Sequence, residues 1–371
     1  MAVSCVPHKA VKQKRIPNVW SVEIFDDGKD IDAAKVDSAS LSMRSNCAFD
    51  KAGGFHIVYI IRSVLRYAVY ADDKWALEDI PVSLSAKDSF LKFALDADDA
   101  PHVLYRSLHG LQYVHRTGNG WKVGLITDEI DKHARWSLEV SVSGEVFILL
   151  EDRVGRLVVW NKESDGTWEK DSLEAVGEIP VEKALCLNYK IDNRGDKSVI
   201  FSRKGRLWEW EIESSNTRKK LFFNVNDAQI EACRLVYDNI NQAHILLGAW
   251  NHDASGKFYE LYYSGRARSK SRFSLLTKSA NIDHYDLDAS IALDVDQFGK
   301  PHIIYYDKAS EKLSYVHYQD SAWFTSSVYS KSTMEETGNM PVRCSMALSP
   351  NGNPWILYND SYGIMKLARL Q

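Results

Sequence analysis

"LDVDQFGKPHIIYYDKASEKLSYVHYQDSAWFTSSVYS", residues 293–330, holds two apolar runs with a glycine turn ahead of them and a tryptophan after them. "LDADDAPHVLYRSLHGLQYVHRTGNGWKVGLI", residues 95–126, has the same rhythm two hundred residues earlier. Each copy divides into four apolar or alternating segments of four to six residues joined by Gly, Asp and Asn, which is strand behaviour. Further copies start at Cys47, Leu138, Leu187 and Leu235, and a last one at Met346 stops before its tryptophan strand. "PNVWSVEIF", residues 17–25, resembles that missing strand and stands ahead of the first full copy.

A chain that begins with a fourth strand and ends with a third can close a ring by pairing the two, which removes the exposed sheet edges that invite aggregation. The sequence therefore predicts an all-β protein: a seven-bladed β-propeller of four-stranded antiparallel blades, closed by the N-terminal strand on the last blade. Counted at His56, His102, Val146, Lys197, His244, His302 and Trp355, the repeat recurs every 44 to 58 residues, a propeller-blade spacing. No low-complexity or Pro/Gly/Ser-rich linker interrupts it. The expected organisation is a flexible arm over residues 1–15 and one propeller domain over 16–371.

Composition bounds the function. Hydrophobic residues make up 45% and charged residues 26%, ordinary for a folded chain. A net charge of −4 gives no general attraction to nucleic acid or anionic lipid, so neither nucleic acid nor membrane is expected as a partner. No apolar run reaches the roughly 18 to 20 residues that span a bilayer. The basic start lacks a continuous apolar core, so it is read as an arm and not as a secretory signal. The five cysteines are scattered without a CxxC pair, which suggests buried thiols in a reducing, cytoplasmic setting.

Four histidines, His56, His102, His244 and His302, share one repeat position on separate blades. Residues a ring apart cannot share an ion, so each is expected to bond a neighbouring turn, and no metal site is expected. Trp20, Trp75, Trp121, Trp168 and Trp323 open fourth strands and should pack between blades. "DVDQFG" at Asp294 looks like the start of a calcium loop, but "DADDA" and "DKAGG" occupy the same place, and no bidentate glutamate follows.

"ESDGTW", Glu163–Trp168, resembles a shortened Asp box, the Ser-x-Asp-x-Gly-x-Thr-Trp turn of sialidase-like propellers. In that family the box is a folding turn, so the resemblance implies architecture. A sialidase would also need three arginines on a carboxylate, a Tyr–Glu nucleophile and an acid/base aspartate. Arg62, Arg106 and Arg203 could supply the arginines, but no Phe-Arg-Ile-Pro segment and no clear Tyr–Glu pair is present. Ser/His/Asp, P-loop and dinucleotide signatures are missing, and no cofactor is expected.

Ligand sites of propellers gather where loops between second and third strands converge on the channel mouth. The repeat-breaking residues there are Arg62, Arg106, Arg203, His252, Tyr306 and Asp307, with Gly248–Lys257 as a loop that could form a partial lid. Guanidinium groups from separate blades can meet one anionic or polyhydroxyl ligand, with Asp307 or Glu151 offsetting their repulsion. The expected function is a binding protein, lectin-like or a protein-interaction scaffold, for a small polar ligand, glycan or protein. The alternative is an enzyme, a lyase, cyclase or glycan-active one, using the channel. "RARSKSR" (Arg266, Arg268, Lys270, Arg272) places four cations on one strand face, read as charge protecting an outer strand.

Overall fold

Seven separate sheets of hydrogen-bonded strands make up the structure, a computed structural model. It describes residues 12–15, 20–27, 44–84, 91–131, 134–163, 166–173, 183–213, 216–224, 228–253, 256–265, 273–280, 287–330 and 342–370. No α-helix occurs among them.

The sheets are blades of four consecutive antiparallel strands, numbered here in chain order. Blades 1 to 6 begin with the inner strands Arg44–Phe49, Leu91–Leu95, Trp136–Val140, Leu187–Ile191, Gln229–Tyr237 and Ile291–Val295. Blade 7 has only three strands from the C-terminal end, Cys344–Leu348, Pro354–Asn359 and Met365–Leu370. Its outer strand is Trp20–Asp26, in antiparallel register from Trp20 against Leu370 to Glu23 against Leu367. Each inner strand packs on the next around the ring, the seventh on the first. The fold read from the repeat is the fold observed.

The N-terminal segment closes the ring twice over. Gln13–Arg15, inside the stretch expected as an arm, pairs in parallel with Trp323–Thr325 on the outer strand of blade 6. The Gln13 amide donates to the Leu276 carbonyl of blade 5 at 3.0 Å. Residues 1–11 and the "RARSKSR" segment from Arg266 to Arg272 lie outside the described residues.

Every turn between first and second strands has one geometry. The N–H of its first residue bonds the carbonyl four residues on, and the N–H three residues on bonds back, at Asp50, Asp96, Ser141, Asp192, Asp238, Asp296 and Ser349. The side chain completes it: Asp96 Oδ1 accepts from the N–H groups of Asp98 and Ala100, and Asp296 Oδ1 from those of Phe298 and Lys300. These carboxylates serve the backbone, which is why the calcium-like spelling recurs without the rest of a calcium loop. "ESDGTW" closes the same turn, Glu163 N–H to Thr167 O at 2.8 Å, although Ser164 and Asp165 lie outside the described residues.

Six residues after the turn aspartate stands the recurrent histidine. Its Nε2 lies 2.9 Å from the carboxylate in Asp50–His56, 3.0 Å in Asp96–His102 and 3.4 Å in Asp238–His244, and 3.8 Å from it in Asp296–His302. Nδ1 accepts from a third-strand tyrosine hydroxyl at 2.5–2.7 Å: Tyr67, Tyr113, Tyr263 and Tyr315 in turn. Each tyrosine ring then meets, edge to face, a tryptophan opening the outer strand of the next blade. The pairs are Tyr67–Trp121, Tyr113–Trp168, Tyr263–Trp323 and Tyr315–Trp20, with centroids 5.2–5.4 Å apart. This chain of Asp, His, Tyr and Trp fastens one blade to its neighbour; such aromatic pairs contribute about 0.5–1.5 kcal/mol beyond area burial. The turn register also corrects the repeat count: the residues equivalent to these histidines are Phe147 and Ser198, one place beyond Val146 and Lys197.

Candidate functional site

The inner strands alternate along the channel. Three residues ahead of the turn stand Leu138, Tyr189, Leu235, Leu293 and Met346, buried in the apolar clusters between blades. Four residues ahead, on the other side of the pleat, stand Asn46, Lys92, Asn188, Arg234 and Ser345. All five line an axial cavity of about 460 Å³ walled by the inner strands of six blades. Two residues nearer the turn, Lys190 pairs with Glu139 at 2.6 Å, and Asp294 accepts from Leu348 N–H at 2.9 Å.

Charge here is dense and structured. Arg234 donates to the Asp288 carboxylate at 2.6 Å and also to the Asp288 and Ile291 carbonyls, so its fork is fixed across the entry to blade 6. Burial would raise the Asp288 carboxyl, yet it is held far below the usual range by Arg234, Lys92 and Arg135, cations from three other blades. Asp294 is pushed up to about 6 by burial, which outweighs the N–H groups of Leu348 and Val295 and the charge of Lys190. Asn188 is 9% exposed, and its Oδ1 is buried with no hydrogen-bond partner. Ser45 and Ser345 join their hydroxyls across blades 1 and 7 at 2.9 Å.

Of the six residues singled out from the sequence, Arg62 lies on a second-to-third-strand loop and the other five lie in the last residues of second strands; the described wall of the axial cavity contains none of them. Arg62 occupies a tight turn with Ser63, both with positive φ, 45° and 64°. Arg106 reaches the Asp131 carbonyl at 3.4 Å. Arg203 donates to the Gly155 carbonyl at 2.5 Å and stands 3.9 Å from the buried Glu151, the acid expected to offset it. Tyr306 is buried, with its N–H on the Ser290 carbonyl. Asp307 accepts from Ser279 Oγ, Ala309 N–H and Ser310 Oγ, and so orders its own loop. His252 is exposed, but the expected lid loop is not a loop. Strand pairing runs through it, His252 opposite Lys257 and Asp253 opposite Gly256, so Gly248–Lys257 is the tip of a long hairpin.

The sequence reading places its site residues on the second-to-third-strand loops and none on the inner strands, where the channel ring lies. The signal was present: polar side chains four residues before the turn aspartate or serine on every blade but the sixth, where Ala292 stands.

The fold is that of the β-propeller class, and comparison with solved structures agrees. The chain is similar to the Nup133 β-propeller domain of Vanderwaltozyma polyspora, at 9% identity and TM-score 0.54, over 88% of this chain and 93% of that one. It is similar to SapL1 lectin in complex with alpha methyl fucoside, at 9% identity and TM-score 0.53, over 78% and 96%. A mutant of AofleA from Arthrobotrys oligospora matches at 10% identity and TM-score 0.51, over 84% and 90%. No protein-family model matches the chain, and neither does any curated protein sequence.

Proposed function

We propose that this propeller is a ligand-binding protein with one site, in the axial channel and its mouth, for a small hydroxyl-rich ligand of the saccharide class. One observation carries the reading. Asn46, Lys92, Asn188, Arg234 and Ser345 occupy a single repeat position, with four residue types on five blades around one cavity. A multivalent binder would repeat one residue set on every blade; a ring of unlike donors and acceptors suits one asymmetric ligand. The cavity volume of about 460 Å³ falls in the usual range of small-molecule sites. The saccharide class is lent by fold analogy to SapL1 lectin. Arg62, Arg106 and Arg203, at or just past the ends of second strands, are proposed as the outer rim that a polar ligand meets first.

The test is calorimetric titration of the full chain with a monosaccharide panel, repeated on Lys92→Met and Asn188→Leu with circular dichroism as the folding control. Binding lost in both folded variants supports the channel. Unchanged binding in both places the site elsewhere.

A further inference from the structure

We infer that Asn188 selects the channel's ligand by clamping two neighbouring hydroxyls, a vicinal diol, between its amide oxygen and its amide nitrogen. This rests on the channel being the ligand site and adds the group recognised and the residue that recognises it.

The first argument is what the neighbouring polar side chains already do. Asn46, at the same repeat position on blade 1, donates its Nδ2 to the Leu91 carbonyl at 2.8 Å and so ties blade 1 to blade 2. Ser345 shares a hydrogen bond with the Ser45 hydroxyl at 2.9 Å. Arg234 is spread over the Asp288 carboxylate and the Cys233, Asp288 and Ile291 carbonyls. On blade 3 the equivalent Ser137 Oγ accepts from Tyr189 N–H at 3.1 Å. Lys190, two residues along the strand from Asn188, is held by Glu139 at 2.6 Å. All of these groups hold the inner strands in place. Asn188 does not: among the described residues nothing donates to its Oδ1 and nothing accepts from its Nδ2. It is 9% exposed, in the wall of the axial cavity. A carboxamide at that depth has its polar atoms paired in most proteins. Here the partners come with the ligand.

The second argument is the chemistry of the amide. Oδ1 only accepts and Nδ2 only donates. A ligand carboxylate would use the nitrogen alone, and an ammonium the oxygen alone. Two hydroxyls on adjacent carbons satisfy both ends at once, one donating to Oδ1 and the other accepting from Nδ2. Oδ1 lies within the wall, and rotation about the last side-chain torsion, which is broad for asparagine, turns it to the cavity. A neutral group also suits the place. The cations on either side, Lys190 and Arg234, are matched by Glu139 and Asp288.

The experiment is calorimetric titration of the full chain with D-glucose, D-galactose, D-mannose and L-fucose, then with the deoxy analogues of whichever binds most tightly. Removing either hydroxyl of one adjacent pair should weaken binding about tenfold, the scale of one buried hydrogen bond, and removing the others should matter less. In Asn188→Leu, shown folded by circular dichroism, the parent sugar and those two analogues should bind alike. The deoxy series is read on the unaltered protein, so it decides even where the variant does not fold. Weakening confined to a single hydroxyl would overturn the clamp. Analogues binding as tightly as the parent, with parent binding lost in Lys92→Met, would overturn the diol and spare the channel. Parent binding indifferent to both Asn188→Leu and Lys92→Met would overturn the channel reading as well. Nicotinamide, a carboxamide without hydroxyls, is the control: binding tighter than every sugar would overturn the diol. Absence of binding by all the sugars at millimolar concentration would overturn it too.

Discussion

The indole of Trp20 stands at 81° to the ring of Tyr315, 5.2 Å between centroids, and its Nε1 donates to Ser326 at 3.0 Å. Trp20 of blade 7 is thereby locked to Tyr315 and Ser326 of blade 6, far along the chain. Trp→Ala substitutions at packed sites cost about 3–5 kcal/mol. Trp20→Ala is expected at the lower end, since its ring is half-buried, and Trp20→Phe at about 1 kcal/mol for the lost hydrogen bond. Urea denaturation of the two variants checks both.

Truncation separates the two levels of closure. Removing residues 1–25 takes away the outer strand of blade 7 and should abolish soluble folding. Removing 1–11 leaves Gln13–Arg15 on blade 6 and should change stability little. Equal stability of the two truncations in thermal unfolding would overturn closure by the N-terminal strand.

Acid should loosen the blade fastenings before it titrates ordinary carboxylates. Burial lowers the folded-state pKa of His102 and His244, and that of His302 to about 4. With a depressed folded pKa, the stabilisation is complete above the unfolded value near 6.5 and is lost as pH falls toward 4. Protonation would also cancel Nδ1 as the acceptor for the tyrosine hydroxyl. A melting temperature that falls between pH 6.5 and 4, with a smaller fall in His302→Gln, is the expected result.

Asp294 runs the other way. Its folded pKa is raised to about 6, so its contribution is complete below the unfolded value and is lost as pH rises through 6. Asp294→Asn should stabilise the protein by on the order of 1–2 kcal/mol at pH 8, discounted for partial exposure in the channel wall, and by less at pH 5. Chemical denaturation at the two pH values gives the comparison.

Breaking the Arg234–Asp288 pair should be severe from one side. Arg234→Met leaves a buried carboxylate facing less positive charge, at about 3 kcal/mol. The double change Arg234→Met with Asp288→Leu should recover much of that loss. A double variant as unstable as the sum of the singles would show that the pair is not coupled.

The ring was legible in the sequence because its turns and tryptophans are spelled out: aspartates that cap backbone N–H groups and indoles that pack between blades recur at regular spacing. The histidine role was legible for the same reason, since one His on each of four blades could not converge on a metal. The repeat slipped by one at Phe147 and Ser198, where the side chain that marks the position is replaced and only backbone hydrogen bonds preserve the register. The hairpin tip at His252 and Asp253 was hidden because "NHDASG" is polar, while pairing depends on the backbone. The channel ring was hidden more deeply. Asn46, Lys92, Asn188 and Arg234 each read alone as a surface residue in a strand, and only the closed ring turns those four faces toward one axis.

The pairing of Trp20 with Leu370 has a consequence for biosynthesis. The outer strand of blade 7, Trp20–Asp26, leaves the ribosome well ahead of its partner, Met365–Leu370. At about 5–20 residues per second, it waits on the order of 20–70 s with its hydrogen-bonding edge unpaired. Val22 and Ile24 on that strand stay exposed even in the finished ring. The nascent chain therefore carries an adhesive strand while blades 1 to 6 are made, and a holding chaperone on residues 20–26 would protect it until the last blade arrives.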